Sequence, residues 1–338
     1  MNTQPLVSIL IPAYNAAGWI ADALGSAVGQ TWPHKEIIVL DDGSTDETLQ
    51  IARRFESSGV TIVSQPNGGA AAARNRLFSL GRGDYIQWLD ADDLLAPDKL
   101  ARQLALVESQ RLGPRTLLSG AWGRFLSRPR RAVFEPTVLW QDLSRVEWLR
   151  RKMEQNVYMQ TASWLVSREL SEAAGAWNTQ LLGDDDGEYF CRVLMASDGV
   201  RFVGDAKIYY RMPGAGNLSY IGASSAKMDA QYRSMELTIG YLRSMEDSDA
   251  TRAACVQYLQ NWLFNFYPER PDIVASAQQL AANLGGRLTM PRRAWKYAWI
   301  DAAFGQEAAK AVQRRLSHAK WSTLRWCDRM AANLAISD

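Results

Sequence analysis

The apolar residues of the N-terminal third come in short runs separated by polar, helix-spaced segments. Leu6-Val7-Ser8-Ile9-Leu10-Ile11 is rich in β-branched residues and stops at Pro12. Glu36-Ile37-Ile38-Val39-Leu40, Val60-Thr61-Ile62-Val63 and Tyr85-Ile86-Gln87-Trp88-Leu89 repeat that pattern. Runs that are apolar on both faces predict buried parallel strands. Between them, Ile20, Leu24, Ala27 and Val28 recur at helical spacing, Ser44-Thr45-Asp46-Glu47 can cap a helix reaching about Phe55, and residues 70–80 read as an Ala-rich helix. Strand and helix in alternation predict a doubly wound, Rossmann-like α/β sheet, mostly parallel and flanked by helices. Its ligands should lie beyond the carboxyl ends of the strands.

The alternation stops near residue 115. Short apolar runs at Thr116-Leu117-Leu118, Ser163-Trp164-Leu165-Val166, Arg201-Phe202-Val203 and Ile208-Tyr209-Tyr210 predict a mixed region that completes the sheet. From about residue 224 only helical spacing remains. The expected division is therefore an α/β domain over 1–222 and a helical C-terminal domain over 223–338, with Pro213-Gly214-Ala215-Gly216 at the boundary. Within the first domain, a nucleotide-binding half (about 1–115) precedes an acceptor half (about 116–222).

Composition changes this picture little. A length of 338 residues suits two domains. The net charge of +2 is too balanced to advertise nucleic-acid binding. Cys191, Cys255 and Cys327 form no C-x-x-C pair, which suggests neither a disulfide framework nor a zinc site and fits a reducing compartment. No basic region precedes the first apolar run, and no run approaches the ~18 apolar residues of a membrane span, so a cytoplasmic protein is expected.

Three polar motifs fall at strand ends and should converge on one rim. They are Pro12-Ala13-Tyr14-Asn15, Asp41-Asp42-Gly43-Ser44 and Asp90-Ala91-Asp92-Asp93. Three carboxylates within four residues repel one another unless a cation intervenes, and oxygen ligands select magnesium, manganese or calcium. Asp93 reads equally well as the start of the helix after Pro97. Asp41-Asp42-Gly43-Ser44 alone could be a turn and helix cap. Beside Tyr14, however, a carboxylate meeting a base edge and a ring packing on the base would make a nucleoside pocket. Asn67-Gly68-Gly69 fits neither a dinucleotide fingerprint nor a P-loop, and reads as a flexible turn or a loop close to phosphate, with Arg74 facing a diphosphate. Finally, Asp184, Asp185, Asp186 and Glu188 crowd the start of a helix beginning near Tyr189. One acid can cap it; the others are candidates for a carboxylate base made more basic by like charge.

Taken in order, these motifs over about residues 5–220 resemble glycosyltransferase family 2, enzymes of the GT-A fold that use nucleotide sugars. The resemblance implies that Pro12, Ala13, Tyr14, Asn15, Asp42, Asn67, Gly69, Arg74, Asp90 and Ala91 line the nucleotide site, with Asp42 reading the base. It implies that Asp90 and Asp92 form a D-x-D site for Mn2+ or Mg2+, which Asp93 can share. Asp186 then stands at the general-base position, supported by Asp185, for inverting transfer from a nucleoside diphosphate sugar, UDP by family frequency, to a carbohydrate or lipid-linked acceptor. Bacterial polysaccharide or glycan assembly is the implied setting. One departure is plain: Tyr210-Arg211-Met212-Pro213 carries no histidine where many relatives have one. The rival readings are a nucleotidyltransferase, which lacks support in the loop after the first strand, and an inactive glycan-binding scaffold.

Between 286 and 338, ten basic residues stand against four acidic ones, interleaved with Trp295, Trp299, Trp321 and Trp326. This pattern reads as a solvated basic face over a helical core, as a helix lying on an anionic membrane surface, or as a homodimer interface.

Overall fold

In chain order the first elements are β1 (Val7–Ala13), α1 (Ile20–Val28), β2 (Lys35–Asp41), α2 (Thr48–Arg53), β3 (Val60–Ser64), α3 (Ala70–Leu80) and β4 (Tyr85–Trp88). The computed structural model describes residues 4–212, 224–291 and 328. All four expected strands are present, and α3 coincides with the Ala-rich segment. Ile9, Leu10, Ile11, Val39, Leu40 and Ile86 are fully buried, because the sheet is covered on both faces. The strand order is β3-β2-β1-β4, all parallel, with an antiparallel edge strand described below.

The chain continues through β5 (Leu94–Leu95), α4 (Lys99–Gln110), β6 (Thr116–Phe125), β7 (Val133–Phe134), α5 (Arg145–Gln155), β8 (Val166–Ser167), α6 (Arg168–Ala174), α7 (Asp185–Ala196) and β9 (Gly199–Arg211). β8 adds antiparallel to β4 and closes the first sheet. A second sheet has the order β5-β9-β6-β7. In it, the two runs near 201 and 208 are parts of one 13-residue strand, β9, paired along β6 with a register shift between Gly120 and Trp122. The polar residues Gly204, Asp205 and Lys207 between the runs lie on exposed positions of a continuous strand.

Three helices follow: α8 (Ser225–Met245), α9 (Asp249–Phe266) and α10 (Pro271–Asn283). Their buried residues, including Met235, Leu242, Leu259 and Leu263, join the same apolar cluster as Leu149, Met153 and Val193, so the first C-terminal helices share the core of the α/β region. Helices α8 and α9 pack on α5 and α7. Among the described residues, no helix is long and apolar enough to cross a membrane. The expected boundary at 213–216, and the basic Trp-containing segment apart from its beginning and Asp328, lie outside the described residues.

Candidate active site

The ends of β1 and β2 are tied together by short polar contacts. Asn15, in a left-handed conformation, accepts from the Thr45 amide at 2.8 Å, and its own amide donates to Ser44 Oγ at 3.0 Å. Ala16 N donates to Thr48 Oγ1 at 2.7 Å. Asn15 is thereby a fastener between two loops. It leaves Tyr14 half-exposed on the rim, with Pro12 partly and Ala13 fully buried behind it.

Asp42 is buried and largely engaged. Its Oδ1 accepts from Gln65 Nε2 at 2.7 Å and Gly68 N at 2.9 Å, and its Oδ2 from Gly69 N at 2.9 Å. Two amides of the glycine loop, those of Gly68 and Gly69, are thus spent on Asp42. Asn67 stays exposed at the loop surface. One lone pair of Asp42 Oδ2 remains for a ligand. Gly43 makes the approach feasible, since at φ 73° a β-carbon would stand 2.7 Å from the Asn67 amide.

Arg74, one turn into α3, is the hub. Its Nη2 donates to Asp90 Oδ1 at 2.8 Å and its Nη1 to Asp185 Oδ2 at 2.9 Å, joining carboxylates from distant parts of the chain. The guanidinium lies 4.6 Å from the Trp177 ring centre, and Trp177 in turn stacks on Tyr189 at 4.0 Å. Asn75 fixes the Trp177 backbone from both sides, at 3.0 and 2.7 Å. Burial alone would lower the Arg74 pKa, but Asp90, Asp185 and Asp186 hold it above its ordinary value.

The run 90–93 divides its acids between two tasks. Ala91 is buried and Asp90 reaches Arg74. Asp92 meets no side-chain donor among the described residues, and burial together with Asp90 raises its carboxyl to about 6. Asp93 is fully buried and accepts from the Arg211 amide at 2.9 Å. One oxygen of the Asp93 carboxylate thus holds the end of β9, while Oδ2 is buried without a hydrogen-bond partner among the described residues. Arg211 completes this clasp through Nε to the Asp92 carbonyl at 2.9 Å and Nη2 to Asp22 at 3.0 Å.

The acids of α7 divide in the same way. Asp184, at φ 56°, accepts from Ser234 Oγ at 2.6 Å and Gln231 Nε2 at 3.0 Å on α8. A β-carbon on Gly187 would collide with the Asp184 carboxylate, so glycine is what lets the chain fold back there. Glu188 pairs with Arg192 at 2.8 Å and accepts from Tyr241 at 2.7 Å. Asp185 and Asp186 face the other way, toward Arg74 and Thr161 Oγ1 respectively, the latter contact at 3.2 Å. Burial, with Asp186, Asp90 and Asp184 nearby, raises Asp185 to about 6 against the pull of Arg74.

The structure thus brings together Tyr14, Asp42, Arg74, Asp90, Asp92, Asp185 and Asp186 around the strand ends. Trp177, Thr161 and Arg211, which sequence reasoning did not single out, position them. Among the described residues, no group of three or more His, Cys, Asp or Glu side chains is arranged to enclose a metal. What is present is an open pair, Asp90 and Asp92, whose oxygen chemistry and crowding fit a magnesium-type ion that completes its shell with water and substrate phosphate.

Comparison with known proteins agrees with this geometry. The family described as Glycosyl transferase family 2 matches residues 8–171. Hyaluronan synthase from Pasteurella multocida is 46% identical over 110 residues, which is 32% of this chain but only 11% of that protein's length. The crystal structure of S. aureus TarS 1-349 with UDP-GlcNAc superposes with a TM-score of 0.67 at 16% identity, covering 82% of this chain and 81% of that one. The mannosyltransferase PcManGT from Pyrobaculum calidifontis, in complex with GDP-Man and Mn2+, gives 0.53 at 20% identity over 96% and 85%. The likenesses to solved structures show the GT-A fold, and residues 8–171 are what matches glycosyl transferase family 2.

Proposed function

We propose that this protein is an inverting glycosyltransferase that moves a sugar from a nucleoside diphosphate sugar, UDP-linked in the first instance, to an acceptor hydroxyl in bacterial polysaccharide or glycan assembly. The observation that supports the reading is the Arg74 bridge, which holds Asp90 of one acid run and Asp185 of the other at 2.8 and 2.9 Å and so ties together the two runs to which Asp92 and Asp186 belong.

In this reading Tyr14 packs on the base and the free lone pair of Asp42 meets its edge. Asp90 and Asp92 would hold a divalent cation, Mn2+ or Mg2+, whose chemistry is to offset the charge of the departing diphosphate. Asp186 accepts the proton of the acceptor hydroxyl as that oxygen forms its bond to the anomeric carbon. The carbon–oxygen bond to the diphosphate breaks on the opposite side, so the configuration inverts once. Arg74 holds Asp185 in place beside it as the supporting carboxylate. Residues 1–115 supply the nucleotide side and 116–222 the acceptor side. TarS, crystallised with UDP-GlcNAc, supports UDP, whereas PcManGT with GDP-Man keeps guanine within the test.

Calorimetric titration with UDP, GDP and dTDP, each with and without manganese, tests this reading. Binding of one nucleotide, tightened by manganese, is the expected result. Failure of all three under both conditions would leave a scaffold that kept the fold without the chemistry.

A further inference from the structure

One wall of the cleft has no task in the account above. It is built from three aromatic side chains on three different segments. Trp122 sits on β6 opposite Ile208 of β9, just past the register shift. Tyr158 follows α5 and precedes by three residues Thr161, the hydroxyl that touches Asp186. Tyr210 immediately precedes Arg211, the clasp under the D-x-D turn.

Trp122 joins the other two, with its ring centre 5.0 Å from Tyr158 at an interplanar angle of 32° and 6.0 Å from Tyr210 at 87°. The cluster therefore joins a tyrosine that feels the charge of Asp186 to one that feels the charges of Asp90, Asp92 and Asp93. Its exposure is graded. Trp122 is 7% exposed and Tyr158 48%, so a buried ring backs an open one. Tyr158 and Tyr14 are the two most exposed Phe, Tyr or Trp side chains among the described residues, and Tyr14 is the one proposed to stack on the base. Burial raises the Tyr158 phenol, and of the charges around it Asp186 and Asp93 push it further up while Arg124 pulls it down. That phenol thus lies in the field of both acid runs.

An open aromatic face beside a proton acceptor suits a ligand with one apolar face and a rim of hydroxyls. A pyranose ring has that shape: its axial C–H bonds meet the negative face of an aromatic ring while its hydroxyls stay free at the edge. We propose that Tyr158, backed by Trp122, is the platform on which the sugar ring of the acceptor stacks, presenting one hydroxyl to Asp186. The inference rests on the glycosyl-transfer reading and deepens it. It assigns the acceptor's reactive end to carbohydrate and fixes its face.

The test is saturation-transfer NMR on the full-length protein loaded with UDP and manganese. The probes are the methyl β-glycosides of glucose, N-acetylglucosamine and glucuronic acid, with UDP calorimetry on every variant as the fold check. At least one glycoside should receive saturation on the C–H protons of a single ring face. In Tyr158→Ala the apparent Kd should rise roughly three- to tenfold, whereas Tyr158→Phe, which keeps the stack, should stay within about twofold of the parent. An unchanged Kd in Tyr158→Ala overturns the platform, as does the absence of any glycoside signal from UDP-loaded protein. Weakened binding of UDP-sugar relative to UDP in Tyr158→Ala would overturn it too, by giving the ring to the donor. Failure of the parent protein to bind UDP at all would be a different result, one that removes the transferase reading itself.

Discussion

Two acid runs, 90–93 and 184–188, look alike as sequence and solve the same problem by different chemistry. Each turns part of its charge inward as a fastener and leaves the rest at the cleft. In the first, the inward acid is Asp93, held by the Arg211 amide, while the Arg211 guanidinium caps the turn behind it. In the second, Asp184 is held by the uncharged Ser234 and Gln231, and Glu188 by Arg192 and Tyr241. A cluster of carboxylates is thus no single functional unit. One acid of three in the first run and two of four in the second are architecture, and the proposed chemistry falls to the others, Asp90 and Asp92 or Asp185 and Asp186.

The sharpest way to break this division is Asp186→Asn. A cleft-facing base lost in this way should lower kcat about 10²–10⁴-fold with little change in the urea unfolding midpoint. Normal turnover in a coupled nucleoside-diphosphate release assay would remove Asp186 from the role. Next in size is Arg74→Met, which leaves Asp90 and Asp185 facing each other in a half-buried site. Loss of one partner from such an arrangement costs about 3–5 kcal/mol, readable as a lower unfolding free energy in urea, and nucleotide binding should fall with it.

Glu188→Gln probes the inward half of the second run. It weakens contacts to Arg192 and Tyr241 and should cost about 1.5–3 kcal/mol by the same denaturation, while UDP affinity measured calorimetrically stays that of the parent. A drop in affinity instead would show that this acid also serves the cleft.

The smallest effect is a pH slope. Asp92 titrates near 6, above the ordinary carboxylate range, so between about 4 and 6 the folded protein holds a proton that the unfolded chain releases. This group therefore favours the folded state below that window and opposes it as pH rises through it. Cation binding runs the other way, because a ligand carboxylate must be ionised. Manganese-dependent UDP affinity should rise by up to about tenfold per pH unit below 6 and level off above it. In Asp92→Asn the slope should vanish, and a parent profile flat from 4.5 to 7 would exclude Asp92 from the cation pair.

Much of the fold could be read from the pattern alone, because strands buried on both faces are continuous apolar runs and β1 to β4 are all of that kind. β9 was harder, since its polar middle divides one strand into two apolar fragments. The start of α7 was misplaced by four residues: acids read as a loop where the helix begins at Asp185. The site was legible as a set of strand-end motifs but not as a wiring diagram. Arg74 to Asp185 spans 111 residues and Arg211 to Asp93 spans 118, and no local rule pairs residues at such separations. For the same reason the engagement of Asp42 by the glycine loop, and the placement of Trp177 by Asn75, emerge only from the fold.

β9 also acts as a ruler. It runs unbroken for 13 residues from the end of α7 to the Arg211 clasp. An inserted residue would displace that clasp by about 3.3 Å and reverse the faces of everything beyond it. The stretch from 126 to 132, joining β6 to β7, is held differently, by Ser127 and Arg128 donating to Asp328 at 2.8 and 2.9 Å. Additions or deletions of chain length should be rejected in β9. The strand thus sets the distance between the end of α7 and the turn that carries Asp92 and Asp93.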